Sequence, residues 1–307
     1  MIKNATLRQL KVFEAVARNL SFTRAAEELH TTQPTVSIQL KQLSDQVGLP
    51  LVEQVGKKIH LTETGRLVHE ACRDILSRLE RLSDEINESQ GLERGHLRLS
   101  IITTAKYFVP RLLGNFYRQH PGIEVSLEVL NRDQILDRLS QNLDDLYIMG
   151  QPPEHMEVVS IPFMKNPLVV IAAADHVLAG KKNIDPVRLS SEPFIVREKG
   201  SGTRLAVEDF FRKHDVNINV RMTLGSNEAI KQAVAGGLGV AVVSEHTLSL
   251  DQESGVFAVL DVKGFPLLRK WYAVYPAGKH LSTVTRAFLN YIGKRDNKKG
   301  RQPVPGS

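Results

Sequence analysis

Two groups of residues in this chain have types and spacings suited to holding an anion. The first is Thr32, Gln33, Pro34, Thr35, Ser37, Ile38, Gln39 and Lys41, with Lys57 and Lys58 a short way downstream. Gln, Ser and Thr side chains bond base edges and phosphate oxygens, and a helix N-terminus favours a phosphate. No Asp or Glu occurs between residues 31 and 44, so nothing in that segment repels a polyanion. The second group is Thr103, Thr104, Gln151, Arg197, Ser201, Thr203, Arg204 and Asn227. Most of these fall where a strand pattern gives way to a helix pattern. Helix N-termini offering N–H groups and hydroxyls, with arginines beside them, make a site for a small anion. Gln151 and Asn227 add neutral hydrogen bonds.

Other chemistries find little support. Gly200-Ser201-Gly202-Thr203 lacks the G-x-x-x-x-G-K-[ST] spacing of a P-loop. G-x-S-x-G and H-E-x-x-H are missing and the ten histidines are scattered, so no enzyme is expected. A single cysteine, Cys72, leaves no intrachain disulfide and no cysteine zinc cluster. It reads as a small buried hydrophobe. "GGLGVAVVSE" follows a helix and enters a strand, so its glycines read as a helix end and a tight turn rather than a nucleotide loop.

The first group needs a compact helical frame. Leu7, Leu10, Phe13, Val16 and Ala17 form the buried stripe of a first helix. Ser21 caps a second, with Phe22, Ala25, Ala26 and Leu29 inward. Thr32 caps a third, Pro34 sits in its first turn, and Val36, Leu40, Leu43 and Val47 face the core. The polar residues are left on the other side: a helix-turn-helix with the third helix as reader of double-stranded DNA. Gly56-Lys57-Lys58 then marks a tight turn between two short strands, a wing toward the DNA backbone. Residues 63–92 carry Leu67, Ala71, Ile75, Leu79, Leu82 and Ile86 as one stripe, on a helix of about 42 Å. A small domain cannot bury that length, and pairing with a second copy as a coiled coil is the expectation.

The second group needs an α/β frame. From residue 96 onward strands are expected at 96–102, 123–130, 143–150, 167–174, 194–198, 220–225, 239–245 and 271–275. Helices alternate with them at 103–121, 132–142, 203–214, 226–235 and 281–292, which argues for mainly parallel sheets in two lobes. The expected layout is α+β and multidomain. A winged helix-turn-helix occupies 1–62, a linker and dimerisation helix 63–92, and a two-lobed α/β effector domain 93–292. Lobe I takes about 93–164 and 266–292, and lobe II about 165–265. A basic tail, 293–307, is expected to be disordered, and it carries four of the six net positive charges of the chain. The pI of 9.3 is therefore weak evidence for nucleic acid. No apolar run reaches the length of a membrane span and no signal-peptide pattern opens the chain, so no membrane partner and a cytoplasmic location are expected.

Taken together, "LRQLKVFEAVARNLSFTRAAEELHTTQPTVSIQLKQLSDQVGLPLVEQVGKKIHLTETGR" resembles the DNA-binding domain of LysR-type transcriptional regulators. The helix pair, Gln-Pro ahead of Val-Ser, the wing and the "LT-x-x-G" entry to a long helix match in order, and the resemblance runs to about residue 292. Many members carry Arg where this chain has Ile38, and Phe where it has Val52 ahead of Glu53-Gln54. Ile38 suggests a changed base preference, through contact with a thymine methyl. The resemblance implies an effector domain like a periplasmic binding protein, no cofactor, a dimer through the long helix, a tetramer through the lobes, and RNA polymerase as a further partner. "TTAKYFVPRLLGNFYRQHPGIEVSLEVLNRDQILDRLSQNLDDLYIMGQPP" resembles the branch that regulates carbon fixation and inorganic-carbon uptake. That branch implies a phosphosugar, phosphoglycolate or 2-oxoglutarate as effector. The alternatives are a relative serving an unrelated operon with a different effector, or a small-molecule binding protein that ignores DNA. Residues 1–90 would have no purpose in the latter.

Overall fold

The computed structural model describes residues 4–56, 58–88, 95–249 and 255–299. The chain divides into two compact units, Met1–Ser89 and Gln90–Ser307. The long helix falls within the first of these units.

In the first unit, helix α1 (Leu7–Asn19) opens with a capping box in which Thr6 and Gln9 satisfy each other's backbone N–H groups. Leu10, Phe13, Val16 and Ala17 are buried as expected, but Leu7 is 49% exposed, because it occupies the first helical position at the edge of the core. Helix α2 (Phe22–Glu28) is capped by Ser21, and His30 takes a left-handed backbone (φ 49°) to turn the chain into α3 (Gln33–Val47). Thr32 caps α3, and Val36, Leu40 and Leu43 are buried against α1 and α2. Strands β1 (Val52–Val55) and β2 (Lys58–Leu61) form the expected antiparallel hairpin. Helix α4 (Glu63–Glu88) sends Val68 and Cys72 into this core. Leu67, Ala71, Ile75, Leu79 and Leu82 of the expected stripe are exposed, Leu67 at 65%.

Burial pushes the Cys72 thiol up to about 11. At pH 8 fewer than about one thiol in a hundred is then ionised. Cys72 is expected to react with a disulfide reagent only after denaturation, and stoichiometric labelling of the native protein would contradict this packing.

The second unit is built around one long strand, residues 158–173, whose two ends pair with different lobes. In the first lobe, β3 (Gly95–Ile102) lies parallel to β4 (Ile123–Leu130) and β5 (Leu146–Met149). Strand β11 (Leu267–Pro276) pairs antiparallel with β5 and with the first part of β6 (Val158–Ala173). The far end of β6 pairs with β9 (Ala241–Ser244) and β10 (Phe257–Leu260) in the second lobe. There β7 (Pro193–Arg197) runs parallel to β8 (Asn219–Leu224) and meets the segment before β9 at Phe194 and Val240. Helices α5 (Val109–Gln119), α6 (Arg132–Ser140) and α9 (Thr283–Lys299) belong to the first lobe; α7 (Gly202–Lys213) and α8 (Asn227–Ala235) belong to the second. Each lobe has its own apolar core, one around Leu99, Phe116, Trp271 and Phe288, the other around Phe194, Phe211, Val240 and Leu260.

Five expectations need correcting. The sheets are mixed rather than mainly parallel, because β6 and β11 pair antiparallel with every neighbour. The helix read over 103–121 is a 3-10 turn, Thr103–Tyr107, followed by α5; Phe108 (φ −131°) breaks the run and Pro110 restarts it. The first half of β6 and all of β10 had no counterpart in the sequence reading. Pro162 and Pro167 hide β6, and Pro162 sits opposite Tyr272 at a register shift, where a missing ladder N–H is tolerated. The lobe boundary at 164/165 consequently falls inside β6. Helix α9 runs on through Lys299, so the tail is not irregular from 293; residues 300–307 lie outside the described residues. The glycine-rich turn behaves as read: Gly236 ends α8, Gly237 has φ +72°, and a Cβ on Gly239 would stand 2.1 Å from the Pro193 carbonyl.

Candidate functional site

The N-terminal site follows from how α3 packs. With Val36, Leu40 and Leu43 inward, the helix exposes Thr32, Gln33, Pro34, Ile38 and Lys41 and leaves Thr35, Ser37 and Gln39 partly exposed. The first turn is internally tied. Gln33 Nε2 donates to Ser37 Oγ at 3.0 Å, and the Thr32 and Thr35 hydroxyls share a bond of 2.8 Å. Thr32 Oγ1 also accepts from the Thr35 N–H, so the polar side chains at the helix start are held in place before any ligand arrives. Lys58 is exposed at the hairpin tip opposite Val55, beside Gly56 with φ +63°. Lys57 lies outside the described residues.

The C-terminal site is a cleft in the second unit, enclosing about 530 Å³ including its open mouth. Thr103, Thr104, Gln151, Arg197, Ser201 and Thr203 line it, six of the eight residues read from sequence. Arg197 is buried and takes a different role from the one expected. Its Nε and Nη2 donate to the two Glu198 carboxylate oxygens at 2.7 and 2.8 Å. Nη1 donates to Asn227 Oδ1 at 2.9 Å and Thr104 Oγ1 at 3.3 Å, and Nη2 also donates to Thr103 Oγ1 at 3.3 Å. All five guanidinium N–H groups are committed and the charge is neutralised by Glu198. Arg197 therefore ties the threonines of one lobe to Glu198 and Asn227 of the other. Asn227 is a buried support behind the wall, donating to Thr104 at 3.1 Å. Arg204 is also off the wall: it pairs with Glu208 one turn along α7 and donates to the Arg197 carbonyl.

The uncommitted positive charge comes from two arginines that the sequence reading missed. Arg132 starts α6, and its Nη1 donates to the Gln151 carbonyl at 2.6 Å. Arg269, on β11, donates to Gln151 Oε1 at 3.0 Å. Both line the cleft, and neither forms an ion pair with a carboxylate among the described residues. Burial holds both guanidinium groups below their ordinary range; at Arg132 the neighbouring Asp133 charge works against this and the charge of Arg269 works with it. Ser201 heads α7 without a side-chain cap, and Ser201, Gly202 and Thr203 at this helix start line the same cleft. Two like charges held half-buried with no carboxylate in ion-pair contact, lining one cleft with an uncapped helix N-terminus, are arranged for an anion. A signal for Arg132 was present, since it follows the cap residue Asn131 at another strand-to-helix junction. Arg269 had none, because its strand was read as starting at 271.

Residues 7–66 match the family model described as bacterial regulatory helix-turn-helix protein, lysR family, and residues 90–296 match the LysR substrate binding domain. The chain belongs to the LysR family of transcriptional regulators. This LysR-type regulator is 57% identical over 291 residues to the RuBisCO operon transcriptional regulator of Acidithiobacillus ferrooxidans, covering 95% of this chain and 94% of that one. It is 54% identical over 295 residues to the HTH-type transcriptional activator CmpR of Synechocystis, with 96% and 97% covered. The solved regulatory domain of Synechocystis CcmR, in complex with 2-PG, is 54% identical and superposes with a TM-score of 0.64, covering 66% of this chain and 98% of that one. The resemblance read from the helix-turn-helix and from residues 103–153 is thus borne out, down to the carbon-fixation branch. Its relatives are regulators of transcription and not enzymes. No helix among the described residues is long and apolar enough to cross a membrane.

Proposed function

We propose that this LysR-type regulator senses a small phosphorylated carboxylate, of which 2-phosphoglycolate is the representative, and controls genes of carbon fixation or inorganic-carbon uptake in the cytoplasm. The observation that carries this is one cleft lined both by Arg132 and Arg269, neither in an ion pair among the described residues, and by the uncapped start of α7. A ligand with one charged group at each end satisfies both walls at once, which a lone phosphate or a neutral sugar does not. The relative crystallised with 2-PG supports the same class, and a phosphosugar or 2-oxoglutarate is the competing choice. Thr103 and Thr104 on one lobe and Ser201 and Thr203 on the other contact the ligand from both sides, so binding favours one angle between lobes.

The reader residues Thr32 to Lys41, with Lys57 and Lys58 of the wing, hold operator DNA. The exposed stripe of α4 pairs two copies, contacts between effector domains make the tetramer, and RNA polymerase is engaged at the promoter. A change of lobe angle then alters the spacing of the DNA-binding pairs and the DNA bend. The test is a thermal-melt panel on the full chain with 2-phosphoglycolate, glycolate, inorganic phosphate, ribulose 1,5-bisphosphate and 2-oxoglutarate. At a hundred times its dissociation constant the true ligand adds about 2.7 kcal/mol of stability. A shift with 2-phosphoglycolate, and a changed footprint on promoter DNA, is the expected result. No shift with any of the five sinks the anion assignment.

A further inference from the structure

We infer that Ile38, with Pro34 beside it, reads the 5-methyl group of a thymine in the operator. The inference rests on α3 being the DNA-reading helix and adds what that helix recognises. At about 100° per residue, Ile38 stands nearly opposite the mean direction of the buried Val36, Leu40 and Leu43. It is thus at the centre of the outward face, and it is 55% exposed. Pro34, one turn earlier, is exposed on the same side, with Thr35 and Lys41 bordering the pair. The result is a small apolar strip set inside a polar, acid-free surface.

Three occupants can be weighed for such a strip. A single solvated hydrophobe is ordinary on a protein surface, but Ile38 stands beside Pro34 at the centre of the outward face of the reading helix. A protein partner needs an apolar patch many times larger than two side chains. In the major groove, by contrast, every base edge is polar except for the thymine methyl. Ile38 is stiff at χ1, so it presents a fixed surface rather than an adaptable one. The polar neighbours on the first turn are already bonded to one another, Gln33 to Ser37 and Thr32 to Thr35. Discrimination at the centre of the face consequently falls to shape and methyl contact. Cytosine, like uracil, carries only a hydrogen at C5, so thymine is preferred over both.

The experiment starts by selecting duplexes from a random library with the full-length protein. Each thymine of the selected sequence is then replaced in turn by deoxyuridine, which removes only the methyl. One or two positions in each half-site are expected to lose about fourfold in affinity, the equilibrium factor for one buried methyl. The Ile38→Ala variant is expected to bind the thymine and deoxyuridine duplexes equally, and Ile38→Val to keep part of the difference. Binding of all three proteins to random DNA should agree within about twofold, since phosphate contacts are untouched. Unequal melting curves are not expected for a surface position and would show that Ile38 supports the fold instead, overturning the inference. A wild-type protein indifferent to deoxyuridine at every position would overturn it too, as would full discrimination retained by Ile38→Ala. Failure of the wild type to select any duplex would instead remove the reader-helix assignment on which the inference stands.

Discussion

Gly65→Ala is expected to unfold the N-terminal unit at temperatures where the wild type is folded. A Cβ at residue 65 would lie 1.9 Å from the Leu51 carbonyl oxygen and 2.9 Å from its carbon. Both are backbone atoms of a residue that is fully buried, so no side-chain rotation relieves the clash. The surrounding hydrogen bonds hold the geometry from two sides. Thr62 Oγ1 accepts the Gly65 N–H at 2.9 Å and donates to the Pro50 carbonyl at 2.7 Å, while the Thr62 N–H donates to Leu51 O at 3.2 Å. The first turn of α4 is thus pinned to the segment leading into the wing, and Gly65 is the contact that lets it approach. Relieving the overlap requires pulling α4 away from Val68 and Cys72, at a cost of about 3 kcal/mol or more. The comparison is Gly114→Ala in the middle of α5, where a Cβ meets nothing within 4 Å. There the substitution is expected to stabilise by about 0.5–1 kcal/mol, through the ordinary helix preference for alanine. Calorimetric melts of the two variants should move in opposite directions, with DNA binding lost only in Gly65→Ala. Equal melting of Gly65→Ala and wild type would mean that α4 starts elsewhere.

How much of this could be read beforehand depends on how local the cause was. The α3 face was legible because it is written in one turn-by-turn pattern: Thr32 as cap, Pro34 in the first turn, three apolar residues at helical spacing. The exposed stripe of α4 followed for the same reason. The cleft was legible only in part. Thr103, Thr104, Ser201 and Thr203 were found because a strand-to-helix junction is a local event. Arg197 was found too, but its occupation by Glu198, Thr103, Thr104 and Asn227 depends on partners up to 94 positions away. Arg269 sits on a strand whose pairing with β6 is hidden by two prolines. The exposure of Leu7 and the helical continuation to Lys299 are end effects, set by where neighbouring elements stop rather than by periodicity.

Replacing Arg132 or Arg269 by methionine is expected to separate stability from ligand response. In the ligand-free protein each guanidinium is half-buried without a carboxylate, and burial lowers the affinity of both for their protons. A group whose charged form is disfavoured by the fold contributes no stability through that charge. Removing one arginine also relieves the repulsion that Arg269 exerts on Arg132. Each variant also loses one hydrogen bond to Gln151, which offsets this gain, so the melting temperature without ligand should change little. With 2-phosphoglycolate the outcome reverses, because a charge-assisted hydrogen bond to the anion is lost. Affinity should fall by about 10- to 100-fold, and the stabilisation at a fixed ligand concentration should collapse with it. Arg197→Met predicts the opposite pattern. Five donors disappear, Glu198 loses its cation and buried Asn227 and Thr104 lose a partner, so the ligand-free protein itself should be destabilised by about 2–4 kcal/mol. Isothermal titration and melting of the three variants distinguish the two roles. Should Arg197→Met remain as stable as wild type and lose 2-phosphoglycolate, while Arg132→Met and Arg269→Met bind it normally, the anion is held by Arg197, and the two half-buried arginines serve the fold alone.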